Sequence, residues 1–157
     1  MPFFDFHCDS LSLGAPKLSA LCESDCLCQV FALFCDIEKE ENPLYSLLSQ
    51  LALLDRAAAE RPDFVIAHSF DALSLAIAQG RTVGMLAVED AGQFFGDCSL
   101  VAPLARLGVR FCSLCWNREN GLASPATAKH GEISARGREL LAALEEAGIA
   151  IDLSHQH

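Results

Sequence analysis

Three times in this chain a helical stretch closes on a glycine, and an apolar run rich in β-branched residues follows within three positions. Gly80 precedes Val83 to Val88, Gly108 precedes Val109 to Cys115, and Gly148 precedes Ile149 to Leu153. Glycine suits that junction because the chain leaves a helix most easily through a left-handed backbone turn. Apolar strands that alternate with helices must lie in a parallel sheet covered by those helices, since parallel neighbours need a crossover between them. The remaining segments obey the same rhythm. Phe3 to Asp9 reads as a buried strand, and Leu27 to Phe34 as a second. Asn42 caps a helix that starts at Pro43, carries Leu44, Leu47, Leu48, Leu51, Leu54 and Ala58 at helical spacing, and stops at Pro62. Phe64 to Ala67 is a short strand, Ser69 caps a helix to about Gln79, and a further helix spans about Cys98 to Leu107. A polar loop from Asn117 to Gly131 then leads to Ser134, which caps a helix from Ala135 to Ala147. Two α/β architectures satisfy this order: an open doubly wound sheet and a (β/α)8 barrel. No repeat, linker or low-complexity stretch divides residues 1–157, so one domain without an internal boundary is expected.

Composition narrows the function. A net charge of −10 with no cluster of Lys or Arg argues against a nucleic-acid or anionic-membrane partner. No apolar run reaches about 18 residues, the length that would span a bilayer. The chain opens directly on strand-like sequence instead of a basic region followed by an apolar one, so a reducing, cytoplasmic setting is expected. In that setting the eight cysteines read as small core hydrophobes. Cys22, Cys26 and Cys28 lack the spacing of a zinc knuckle, which makes a second metal or a redox role the lesser alternative.

In parallel α/β sheets, functional residues gather where the strands end. Here the strand ends deliver His7 and Asp9, then Glu89, then His155. Residues two apart in an extended chain face the same side, so His7 and Asp9 aim a nitrogen and an oxygen at one point. Imidazole and carboxylate are ligands for a divalent transition metal, and a carboxylate set between two histidine-bearing strands can bridge two of them. That chemistry belongs to a metal-dependent amide hydrolase. Asp90 should face away from Glu89. His157, two beyond His155, is a minor alternative ligand. His68 and Asp152 read as structural, His130 as a solvated loop residue, and Glu38 to Glu41 as a solvated loop.

The segments DFHCDS, VED after GMLA, LGVRFCSLCWNRENGLA and GEISARGRELLAALEEAGIAIDLSH together resemble the amino-terminal half of the membrane dipeptidase (renal dipeptidase) family of zinc peptidases. The resemblance runs in order through nearly the whole chain. It implies a (β/α)8 TIM-type barrel with its carboxy-terminal part missing, a site for two zinc ions, and cleavage of dipeptides by a hydroxide held between the metals. His7 and Asp9 resemble the ligands of one zinc, Glu89 the catalytic bridging carboxylate, and His155 the first histidine of the other zinc. Trp116 stands where animal members carry a substrate-contacting histidine. With Asn117 and Asn120 it looks like a bacterial variant, so Trp116 and Asn117 are the candidate substrate contacts. The family's second histidine, substrate-binding arginine and acidic proton donor would fall beyond His157, which suggests a fragment or a truncated gene. The competing expectation is an inactive partial barrel that binds a single metal, with a homodimer as one way to cover its open edges. A different hydrolase on the same barrel fits less well, because the chain opens with H-x-D and not H-x-H.

Overall fold

The longest pairing in the molecule joins the second and fourth strands. β2 (Cys26–Leu33) runs parallel to β4 (Thr82–Val88), with Cys28 beside Val83 and Leu33 beside Val88. Around this pair the computed structural model, which describes residues 1–157, arranges a curled parallel sheet in the order β1-β2-β4-β5-β6. β1 spans Phe3–Cys8, β5 Val109–Ser113 and β6 Ala150–Asp152. β3 (Phe64–Ile66) pairs with the first half of β4 and β5 pairs with its second half. Because β2 occupies the whole of one edge of β4, β3 and β5 share the other. The crossovers carry α1 (Leu18–Cys22), α2 (Pro43–Ala59), α3 (Phe70–Ala78), α4 (Val101–Arg106) and α5 (Ala135–Glu146). The result is a curled half-barrel, consistent with part of a TIM-type barrel.

Alternation along the strands divides the apolar residues between two cores. Phe31, Leu33, Leu86 and Val88 pack with Leu47, Leu51 and Leu54 of α2, Leu104 of α4, and Leu140 and Leu144 of α5. Their neighbours Cys28, Val30, Val83, Met85 and Ala87 face the other way and pack with Ala76, Leu73 and Ile77 of α3. Burial on both faces is why these strands read as continuous apolar runs. The caps form as expected: Asn42 accepts from the amide of Tyr45, Ser69 from Ala72 and Ser134 from Gly137. Gly80, Gly108 and Gly148 all have positive φ.

β1 departs from expectation. Read as buried, it is the sheet's edge strand, and Phe3, Phe4 and Phe6 are 45, 45 and 67% exposed. Apolar sequence alone does not distinguish an edge from a centre. Five of the cysteines (Cys26, Cys28, Cys35, Cys112 and Cys115) are buried, as small hydrophobes would be; Cys98 is exposed, and all eight are free. Burial pushes the Cys28 thiol up to about 12 and those of Cys35 and Cys115 up to about 11.

Candidate metal centre

Glu89 follows β4 directly, and its amide continues the ladder by donating to the carbonyl of Leu33. The buried side-chain amide of Gln93 donates to both Leu33 O and Glu89 O, which ties the exits of β2 and β4 together. Asp90 then turns the chain with φ of 75° and buries its carboxylate, which accepts from the amide of Gly92 at 2.8 Å and from Asn120. Asn120 also donates to Leu114 O and accepts from the amide of Leu122. The ends of β4 and β5 are therefore fixed to each other beneath Glu89. Asp90 takes no part in the metal-ligand cluster; with φ of 75° its chain is not extended, and its carboxylate is held by Gly92 and Asn120 instead of by strand alternation.

The strand ends bring the four expected side chains together. His7 Nε2 lies 3.1 Å from Asp9 Oδ1 and 3.7 Å from Glu89 Oε2. His155 Nε2 lies 3.1 Å from Glu89 Oε1. Each oxygen of one carboxylate thus faces a different imidazole. One ligand atom from each of His7, Asp9 and Glu89 falls within 4.8 Å of the others. Glu89 is 7% exposed, so desolvation raises its carboxyl above the ordinary range. Charge interaction with His7 and His155 opposes that rise, and Asp9 and Asp152 add to it.

The second nitrogen of His155 is also committed. Nδ1 lies 3.0 Å from the side-chain oxygen of Asn117, so Nδ1 carries the proton and donates. Nε2, the nitrogen that bond leaves free, faces Glu89 Oε1. At 3.1 Å that approach is favourable when a proton or a cation lies between nitrogen and oxygen. A buried carboxylate whose two oxygens each face an imidazole nitrogen is a donor set that fits divalent cations of borderline hardness. Asn117, expected as a substrate contact, has its oxygen occupied by His155. Trp116 stands beside it, with ring centroids 6.4 Å from His155 and 5.0 Å from Phe34.

The remaining candidates lie elsewhere. His157 does not join the cluster: His155 has φ of 65°, so the alternation of an extended strand is broken between them. The amide of His157 instead donates to Ser124 O. The ring of His68 packs against Gly108, where β5 begins. His130 is exposed, and Asp152 accepts from the amide of Ser154. The loop expected to be solvated is only partly so, because Glu38 pairs with Arg118. Nothing in the spacing of Asn120, Gln93 or Arg118 marked their partners, which sit 30 or more positions away or are backbone atoms.

Comparison with known proteins gives a consistent picture. The family described as membrane dipeptidase (peptidase family M19) matches residues 6–157. Over 112 residues, 68% of this chain, the sequence is 30% identical to the dipeptidase aclJ of Aspergillus oryzae, a match that spans 26% of that protein. It is 27% identical over 110 residues to the dipeptidase tcpJ of Claviceps purpurea, again across 26% of the latter. Among solved structures, the probable dipeptidase PvdM from Pseudomonas aeruginosa superposes with a TM-score of 0.84 at 17% identity, covering 99% of this chain and 47% of that one. A metallo peptidase from Rhodobacter sphaeroides, solved with a phosphinate mimic of the dipeptide L-Ala-D-Ala, gives 0.80 at 20% identity, covering 100% and 59%. At these identities the structures speak to the fold. The chain spans about a quarter of the length of the two fungal proteins it matches.

Proposed function

Because this chain belongs to the membrane dipeptidase family, peptidase family M19, we propose that it supplies the metal-holding side chains of a zinc-dependent dipeptidase. The observation that carries the proposal is the placement of Glu89, whose two carboxylate oxygens each face one histidine. His7, Asp9 and one oxygen of Glu89 would hold one ion. His155 and the other oxygen of Glu89 would hold the second. Zinc bound there supplies Lewis acidity, polarising a peptide carbonyl and making water acidic enough to attack it near neutral pH.

The protein's own contribution is the orientation of these side chains and the burial of Glu89. Asn117, accepting from Nδ1 of His155, keeps Nε2 aimed at the site. Burial of Glu89 raises the energy of its bare anion, and a bound cation removes that penalty. Trp116 presents an aromatic wall beside His155, a suitable surface for an aliphatic dipeptide side chain. Incubation of the chelator-stripped chain with L-Ala-L-Ala and L-Ala-D-Ala, with and without added zinc, tests the proposal. Zinc-dependent release of alanine that Glu89→Gln abolishes is the expected result. Hydrolysis indifferent to chelation would overturn the reading.

A second reading is that the chain binds a single ion and hydrolyses nothing. It draws on the ligand count: three side chains converge on the His7 side, whereas His155 shares only Glu89. Elemental analysis separates the two, with two zinc ions per chain for the first and one for the second.

A further inference from the structure

We propose that the ion pair between Asp36 and Arg118 is a positioning device for His155, so that the two loops it joins set the affinity of the metal site. The inference rests on the proposed function above. Arg118 grips Asp36 with two parallel hydrogen bonds of 3.0 and 3.2 Å and also pairs with Glu38. Lys39 reaches the same Asp36 carboxylate at 2.9 Å. Asp36 follows β2 and Arg118 follows β5, so the clamp spans the end of β4, where Glu89 emerges.

Between the clamp and the site lie only two residues, and both are engaged. Asn117 accepts from Nδ1 of His155. Trp116 is wedged between Phe34 and the His155 ring, with the Arg118 guanidinium 5.9 Å from its centroid. Trp116, Asn117 and Arg118 thus run as a short strap from the ligand histidine to an anchor on a different crossover. The anchor is not an ordinary exposed pair: the side chain of Asp36 is 16% exposed and that of Arg118 35%, and fork-on-carboxylate geometry restricts both. Releasing the anchor frees Asn117 to drift, and Nε2 of His155 loses its fixed direction. Partners that orient a metal-binding histidine typically contribute about 10- to 100-fold to metal affinity.

Trp116 is the only tryptophan in the chain and stands beside the proposed ligand, so its fluorescence reports an ion bound there. The test titrates the full chain with cobalt(II), a paramagnetic quencher, and reads the affinity from the quenching of Trp116. Arg118→Ala and the near-isosteric Asp36→Asn should each weaken cobalt binding about tenfold or more, the double variant no further than either alone. Arg118→Lys should recover only part of the loss, because an ammonium cannot make the fork. Asp36→Asn keeps the test open if Arg118→Ala fails to fold. Unchanged affinity in these variants, or a lowered melting temperature with no change in affinity, overturns the positioning role and leaves the proposed function standing. Absence of saturable quenching in the unsubstituted chain overturns both.

Discussion

Glu89 carries two opposed demands, burial and charge, and the balance between them is measurable. In the folded chain its carboxyl is raised, first by desolvation, so the ionised form costs free energy that the protonated form does not. Below the ordinary carboxylate range the group is protonated in both folded and unfolded chains, and no penalty exists. As pH rises through the folded-state value the penalty enters, and the metal-free chain becomes less stable. Glu89→Gln should therefore melt no lower than the parent at neutral pH without metal, and its melting temperature should depend less on pH between about 4 and 7. The parent should gain several degrees on addition of zinc, and the variant should lose most of that gain. Thermal melts across pH, with and without zinc, check all three; an unchanged zinc response in the variant eliminates Glu89 as a ligand. The thiols give a second test at this scale. Exposed Cys98 should react with iodoacetamide in the native state, whereas Cys28, Cys35 and Cys115, buried and with thiols pushed up to about 12, 11 and 11, should react only as the chain unfolds. Peptide mapping after timed labelling reads the order directly. At this scale the sequence was most legible where chemistry meets position: His7, Asp9, Glu89 and His155 stand at strand ends, and the strand-end rule needs no coordinates. Asn120, Gln93 and Arg118 were not legible, because their roles depend on contacts that only the folded chain creates.

Elements were legible wherever a local device sets them. Asn42, Ser69 and Ser134 cap helices through their own side chains, and Gly80, Gly108 and Gly148 occupy the turns that leave them. α1 escaped notice because five residues are too few to show a helical period. The glycine-bearing stretch before the last strand has a packing reason that spacing could not reveal. Gly137 lies in the first turn of α5, where its missing Cβ would stand 2.2 Å from the backbone oxygen of Leu122. Alanine in an exposed helix would stabilise by about 1 kcal/mol relative to glycine. Here the sign reverses: Gly137→Ala must push α5 away from the 121–123 loop, and the expected loss is about 1–3 kcal/mol. Urea unfolding of the variant checks this, and a stability equal to or above the parent's would show that the helix and loop are free to part.

At the scale of the whole molecule the sheet has two open edges, β1 and β6, and the first of them is aromatic. The Phe4 and Phe6 rings stack at 6.4 Å, and Phe6 meets Phe111 edge-on at 6.3 Å across the concave face. An exposed strand edge flanked by phenylalanines favours pairing with another copy. Sedimentation should show self-association of the isolated chain at about 10 μM and above, weakened by Phe6→Ser. A monomer at every concentration would contradict this. The central claim remains the convergence of positions 7, 9, 89 and 155 on a cation. Its most direct test is an anomalous difference map from a zinc-soaked crystal, recorded on both sides of the zinc edge. The account predicts a peak bounded by His7 Nε2, Asp9 Oδ1 and Glu89, with any second peak between Glu89 and His155 Nε2. Zinc found only on surface carboxylates or cysteines, with those four side chains uncoordinated, would contradict it.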